Sequence, residues 1–286
     1  MRPKSKKIER LLKLFPPPMA RYAKKIGVPI RAKKIQKERE LARTKHGSPY
    51  KHHLLFIAGL PKSGTTWLEN MISSWPGLGP YLIPDVAKYE LKNHESISYE
   101  LPINFSEKFK KMLSVTKMHI HASPNNLSIL SNANIPWIAL ERDLRDVAVS
   151  YHFYVKSTPW HPSHKYHYKK STKDGLLRFG HEVLPKYADW VRGWKHAVKK
   201  SSNGLLLSYE ELNKNTTKAL EKAAIHFGLN TDLIPFVIDK NKMKIIKYAE
   251  NKKNTNFERK GITGDWKNYF NEELSTLYKS ICDELL

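Results

Sequence analysis

The sequence predicts an α/β fold of three layers, a central parallel sheet flanked by helices, on three observations. Short strand candidates recur at 53–59, Ser114–Met118, Trp137–Leu140 and Leu205–Ser208. The first, His53-Leu-Leu-Phe-Ile-Ala-Gly59, reads as a short buried strand. Stretches with helical apolar spacing follow them, as at Thr66–Ser74, Asp146–Tyr154 and the stripe Tyr187, Trp190, Val191, Trp194 and Val198. Strands alternating with helices make a parallel sheet covered on both sides.

The chain has 286 residues, enough for one large domain with a sizeable core. Two segments are expected: a basic arm over 1–50 and a folded domain over 51–286. Net charge is +23, and residues 1–45 alone hold 16 Lys/Arg against 3 Glu. The remaining excess favours an anionic ligand. The arm carries Lys/Arg runs, the triplet Pro16-Pro17-Pro18 and Gly27-Val-Pro29. Ile8, Leu11, Leu12 and Phe15 lie at helical spacing within it. A solvated, partly helical arm, packed on the domain or disordered, is the first reading of this segment. A basic amphipathic helix resting on an anionic membrane surface is the second.

A single cysteine, Cys282, excludes an intramolecular disulfide and a thiolate metal cluster. No apolar run is long enough to span a membrane, and the N-terminal basic residues lead into no apolar signal core. The expected location is the cytoplasm.

The first strand ends at Gly59 and opens Gly59-Leu-Pro-Lys-Ser-Gly-Thr-Thr66 ahead of a helix. Strand, glycine loop and helix together build an anion cradle from backbone N–H groups and the helix's positive end. The glycine spacing is that of a nucleotide P-loop, but Thr65 stands where that loop has lysine, and the lysine moves forward to Lys62. The segment Leu60-Pro-Lys-Ser-Gly-Thr-Thr-Trp67 resembles the 5′-phosphosulfate loop of the sulfotransferases that use 3′-phosphoadenosine 5′-phosphosulfate (PAPS), the cytosolic type above all.

That resemblance implies a P-loop-type fold, PAPS as donor and no required metal. It implies that Pro61, Lys62, Ser63, Gly64, Thr65, Thr66 and Trp67 hold the nucleotide's 5′ end. The family's other marks follow in order. Arg142 ends the third strand and Ser150 lies eight residues on, within Arg142-Asp-Leu-Arg-Asp-Val-Ala-Val-Ser-Tyr151; by resemblance they hold the 3′-phosphate, against a plain reading of Arg142 as an ion pair with Asp143 or Asp146. Arg259, Lys260 and Gly261, ahead of Gly264-Asp-Trp266, match the segment that closes over that phosphate. Trp67 and Tyr209 match the family's adenine contacts. The family's Thr/Ser-Phe pair, expected near 237–245, has no good counterpart in Ile238-Asp-Lys-Asn-Lys-Met243.

Lys117-Met-His119 has the family's Lys-x-His spacing. His119 is the implied general base, with His121 as an alternative, since an imidazole titrates near neutral pH. Lys62 and Lys117 are the implied partners of the transferring group. His161, His164 and His167 repeat at three-residue spacing, yet Pro162 and the flanking lysines argue for a mobile loop rather than a metal site. The acceptor, expected to be a small molecule, a glycan or a lipid, would be selected by residues 82–110 and 155–185. Two other function classes remain open on the sequence: a P-loop kinase or NTPase, and a non-catalytic nucleic-acid binder using the basic surface, although no nucleic-acid module is present.

Overall fold

The computed structural model describes residues 16–93, 95–159, 161–250 and 261–286. In chain order these form α1 (Pro17–His46), β1 (Leu54–Gly59), α2 (Thr65–Ile72), α3 (Pro84–Asn93), β2 (Ser114–Met118), α4 (Pro124–Asn132) and β3 (Trp137–Glu141). Then come α5 (Leu144–Lys156), α6 (His164–His167), α7 (Thr172–Glu182), α8 (Leu184–Lys200) and β4 (Gly204–Ser208). The chain continues through α9 (Tyr209–Lys214), α10 (Thr216–Phe227), α11 (Ile234–Glu250), a 3₁₀ turn at Asp265–Asn268 and α12 (Glu272–Cys282).

All four strands are parallel, in the order β2-β1-β3-β4. β1 is flanked by β2 and β3, with Ile57 beside Lys117 and Gly59 beside Leu140. The chain leaves β1 toward one edge of the sheet and returns over it to β3 on the other side. The carboxyl ends of β1 and β3 therefore flank the point where strand order reverses, the place where open α/β sheets bind ligands.

Every residue of β1 is buried, because alternate side chains enter two separate cores. Leu54, Phe56 and Ala58 join Trp137, Ala139 and residues of α5, α7, α8 and α12. Leu55 and Ile57 join Ile138, Leu140 and residues of α2, α10 and α11. The uninterrupted apolar run from Leu54 to Ala58 reflects these two cores. The stripe on α8 packs as expected: the indoles of Trp190 and Trp194 both donate to the Ile120 carbonyl, at 2.8 and 3.0 Å. Ile120 sits between the two candidate bases, so α8 fixes the chain where it leaves β2.

The described part of the N-terminal segment is one long helix. α1 is continuous through Gly27 and Pro29. Beyond Pro29 it packs onto the domain: Ala32, Ile35 and Arg39 are buried, and Ile35 belongs to the core that contains Leu54. The Arg39 guanidinium donates to the Gly77 carbonyl, and the Arg39 carbonyl accepts from Leu113 N–H. Ile8, Leu11, Leu12 and Phe15 lie outside the described residues.

Trp190→Phe keeps the ring's bulk but deletes one of the two donors to Ile120. It is expected to lower unfolding free energy by about 1 kcal/mol, read from urea denaturation.

Candidate active site

The loop after β1 can form only because Gly59 has no side chain: a Cβ there would sit 1.5 Å from the Thr65 methyl. Two residues then adopt left-handed backbone, Lys62 at φ 71° and Gly64 at φ 84°. Gly64 is natural in that region, whereas Lys62 is held there against its preference. The Gly64 carbonyl accepts from Trp67 and Leu68, so α2 starts at the loop with its positive end toward the loop's mouth. Gly64 also lies against Tyr209, whose ring carbon a Cβ would meet at 2.7 Å.

Arg142 links the parts. Its guanidinium lies over the Tyr209 ring at 4.1 Å. It donates to the Lys62 carbonyl at 3.4 Å and to the Ile262 carbonyl at 2.9 Å. Its Nε is buried without a partner, a donor left for a ligand. Tyr209 meets Trp67 edge to face at 6.0 Å. The structure thus brings Lys62, Gly64, Trp67, Arg142 and Tyr209 into one neighbourhood. Gly261 precedes Ile262 with φ 70°; Arg259 and Lys260 lie outside the described residues.

On the β2 side, the Lys117 amine donates to the Thr66 hydroxyl and pairs with Glu69 at 3.2 Å. His119 Nδ1–H donates to the Gly59 carbonyl, which leaves Nε2 as the basic nitrogen. Burial, then the charges of Lys117 and Lys62, push the His119 imidazolium down to about 4 against the opposing carbonyl bond, so the ring is neutral near pH 7. Burial, then Arg142 and Lys117, push the Lys62 ammonium down to about 7. Its Nζ lies over the Tyr154 ring at 4.3 Å. His121 faces different charges, Lys186, Glu95, Asp189 and Glu100, none of them in the phosphate loop.

Other residues sit differently from the sequence reading. Ser63 is fully buried, and its hydroxyl is engaged by the Leu60 and Leu140 carbonyls at 2.7 and 3.0 Å, so the side chain ties the loop to β3. Ser150 is half-buried on α5. The expected mobile loop at 161–167 is instead packed. His167 is buried on α6 with its Nδ1 2.9 Å from that of His152, while His164 Nδ1 bonds the Val155 carbonyl at 2.9 Å. The three imidazoles thus engage different partners, and among the described residues no cluster of three His, Cys, Asp or Glu could hold a metal. The 237–245 stretch is helical, with Asn241 buried against the Ser74 hydroxyl and Val237 carbonyl.

The sequence reading gave Asp146 only an ion pair, yet it holds the C-terminal segment in place. Its side chain is buried, pairs with Arg142 at 3.5 Å, and accepts from the backbone N–H groups of Gly264 and Trp266 at 2.7 and 3.0 Å. Arg145 stacks on Trp266 at 3.8 Å and pairs with Asp143. The partners of Asp146 are backbone amides far along the chain, so no residue type announces them.

With this geometry in hand, the comparison with known proteins is specific. The sulfotransferase domain family matches residues 53–286. The chain belongs to that family. Human sulfotransferase 1E1 is 28% identical to this sulfotransferase over 249 residues, covering 77% of this chain and 79% of its own. Flavonol 4′-sulfotransferase of Flaveria chlorifolia is 24% identical over 277 residues, covering 81% and 78%. The crystal structure of mouse sulfotransferase SULT7A1 complexed with PAP superposes with a TM-score of 0.57 at 23% identity, covering 79% and 81%, which supports the fold.

Asp146→Ala strips the buried Arg142 of its carboxylate and frees Gly264 and Trp266. A loss of about 3 kcal/mol is expected in urea unfolding. Tryptic cleavage after Lys267 is expected to accelerate in the same variant.

Proposed function

We propose that this enzyme transfers the sulfuryl group of PAPS to a hydroxyl of a small-molecule acceptor, with Lys62, Lys117, His119 and Arg142 as the working groups. A PAPS-dependent sulfotransferase is what its family membership and motifs make it. The observation that carries the residue roles is the convergence on Arg142 of the phosphate loop, the Tyr209 ring and the 261–266 segment, with a buried donor to spare. That cluster suits the 3′-phosphate, with Arg259, Lys260 and Gly261 joining it. The loop from Pro61 to Thr66 suits the 5′ end, and Trp67 and Tyr209 the adenine. Ser150 is assigned to the 3′-phosphate by resemblance.

In the reaction the acceptor oxygen attacks sulfur in line. A new O–S bond forms as the bond from sulfur to the bridging oxygen of the 5′-phosphate breaks. That electron pair stays on the phosphate of adenosine 3′,5′-bisphosphate, and the acceptor's proton passes to His119 Nε2. Lys62 and Lys117 stabilise the charge that moves onto the departing oxygen. The donor's negative charge raises the pKa of both Lys62 and His119, so binding it makes the cation more durable and the base stronger. The relatives' names, flavonol 4′-sulfotransferase among them, support a small-molecule hydroxyl as acceptor. A cytoplasmic location is part of the same proposal. Among the described residues no helix is long and apolar enough to cross a membrane.

Thermal shift separates this enzyme from an NTPase: adenosine 3′,5′-bisphosphate at a hundredfold excess over its Kd is expected to stabilise by about 2.7 kcal/mol, and ATP with Mg²⁺ to do little. The reverse order overturns the proposal. His119→Ala is expected to lower transfer by about 10²–10⁴-fold in a radiolabelled-sulfate assay while calorimetry shows nucleotide binding intact. The free enzyme needs neutral His119 and charged Lys62. Hence kcat/KM for PAPS is expected to fall below about pH 4, and above about pH 7. The profile of kcat stays flat further into alkali, because bound donor keeps Lys62 protonated. Lys62→Arg, which does not titrate in this range, is expected to lose the alkaline limb, and Lys62→Met to lose most activity throughout.

A further inference from the structure

The N-terminal helix has two apolar faces, and the domain uses only one. Ala32, Ile35 and Arg39 form the docked face. On the other side Met19, Tyr22, Ile26 and Ile30 recur at intervals of three and four, 55%, 67%, 49% and 67% exposed. At 100° per residue this stripe points away from the docked face. Leu41, 72% exposed, falls on the same side further along. Single exposed apolar residues are ordinary on a protein surface; four large ones in a row on one helix face are not.

Charge accompanies the stripe. Arg31, Lys33, Lys34 and Lys37 are exposed on the same helix, and Lys37 stands about five turns beyond Met19 on the stripe's own side. Next to it lies a groove of about 830 Å³ walled by Lys37, Leu41, Arg43, Thr44, Lys110 and Lys111, with Glu40 the acidic residue of its lining. The Arg43 Nε is buried there without a partner. Lys110 pairs with Glu107 at 2.7 Å, while its neighbour Lys111 is exposed.

We propose that this outward face of α1 seats the enzyme on an anionic lipid bilayer. Met19, Tyr22, Ile26 and Ile30 enter the headgroup boundary, and the lysine end with its groove receives lipid phosphates. The helix lies along the surface; with so many cations it cannot cross. Charge complementarity selects this occupant over the others. A second copy would bring one strongly cationic helix against another, so self-association is opposed. A nucleic acid would satisfy the lysines but leave the four apolar side chains in water.

The test uses the full-length protein and vesicles of phosphatidylcholine, either pure or with about a third phosphatidylserine. Sedimentation with the mixed vesicles, weakened by high salt, and none with the neutral ones, is expected. Tyr22→Glu/Ile26→Glu/Ile30→Glu changes only exposed positions. It should keep the thermal midpoint and the transfer rate to a soluble phenol, yet lose at least tenfold in vesicle affinity. Undiminished binding by that variant would assign the attraction to bulk charge and overturn the proposal. So would equal binding to neutral vesicles, or an ultracentrifugal dimer that the triple substitution dissolves.

Discussion

Gly59 is where the scaffold and the chemistry meet. Its missing side chain lets the phosphate loop fold back so that Thr65 can begin α2 against the strand end. Its carbonyl fixes the His119 ring and leaves Nε2 as the basic nitrogen. β1 therefore sets the loop and the imidazole from one backbone position, and the parallel register with β2 places Lys117 and His119 alongside. Preorganisation of this kind rests on strand pairing, whose hydrogen bonds lie among fully buried neighbours, rather than on mobile side chains.

The electrostatics run against stability and toward binding. Lys62, Lys117 and Arg142 crowd one end of the sheet, and burial with mutual repulsion weakens the proton affinity of Lys62. The fold compensates where it must: Glu69 faces Lys117, and Asp146 faces Arg142. Lys62 lies over an aromatic ring and holds an unfavourable backbone angle. A site left electropositive by construction is relieved when a polyanion enters, which is how local strain becomes affinity.

Much of this was legible in the sequence for identifiable reasons. The apolar run at 53–59 marks β1, and the strand candidate at Ser114–Met118 coincides with β2. Glycine and hydroxyl residues between a strand and a helix mark an anion loop. Direction was less legible than location. Nothing in the letters tells that Ser63 turns inward to two carbonyls while Thr66 meets Lys117. The helix α1 passes through Pro29. The bond lost there lies ahead of the docked stretch that begins at Ala32, so no core contact depends on it. His167 read as part of a basic loop, but tertiary packing against His152 and Tyr151 overrides that local character.

The carboxylate of Asp146 grips peptide N–H groups, not side chains. Its hold is thus indifferent to most changes of residue at 266, where any amino acid brings the same donor. Proline is the exception, since an imino acid has no hydrogen to offer. The constraint falls on the polypeptide's chemistry more than on its spelling, so divergent versions of this segment can share one anchorage.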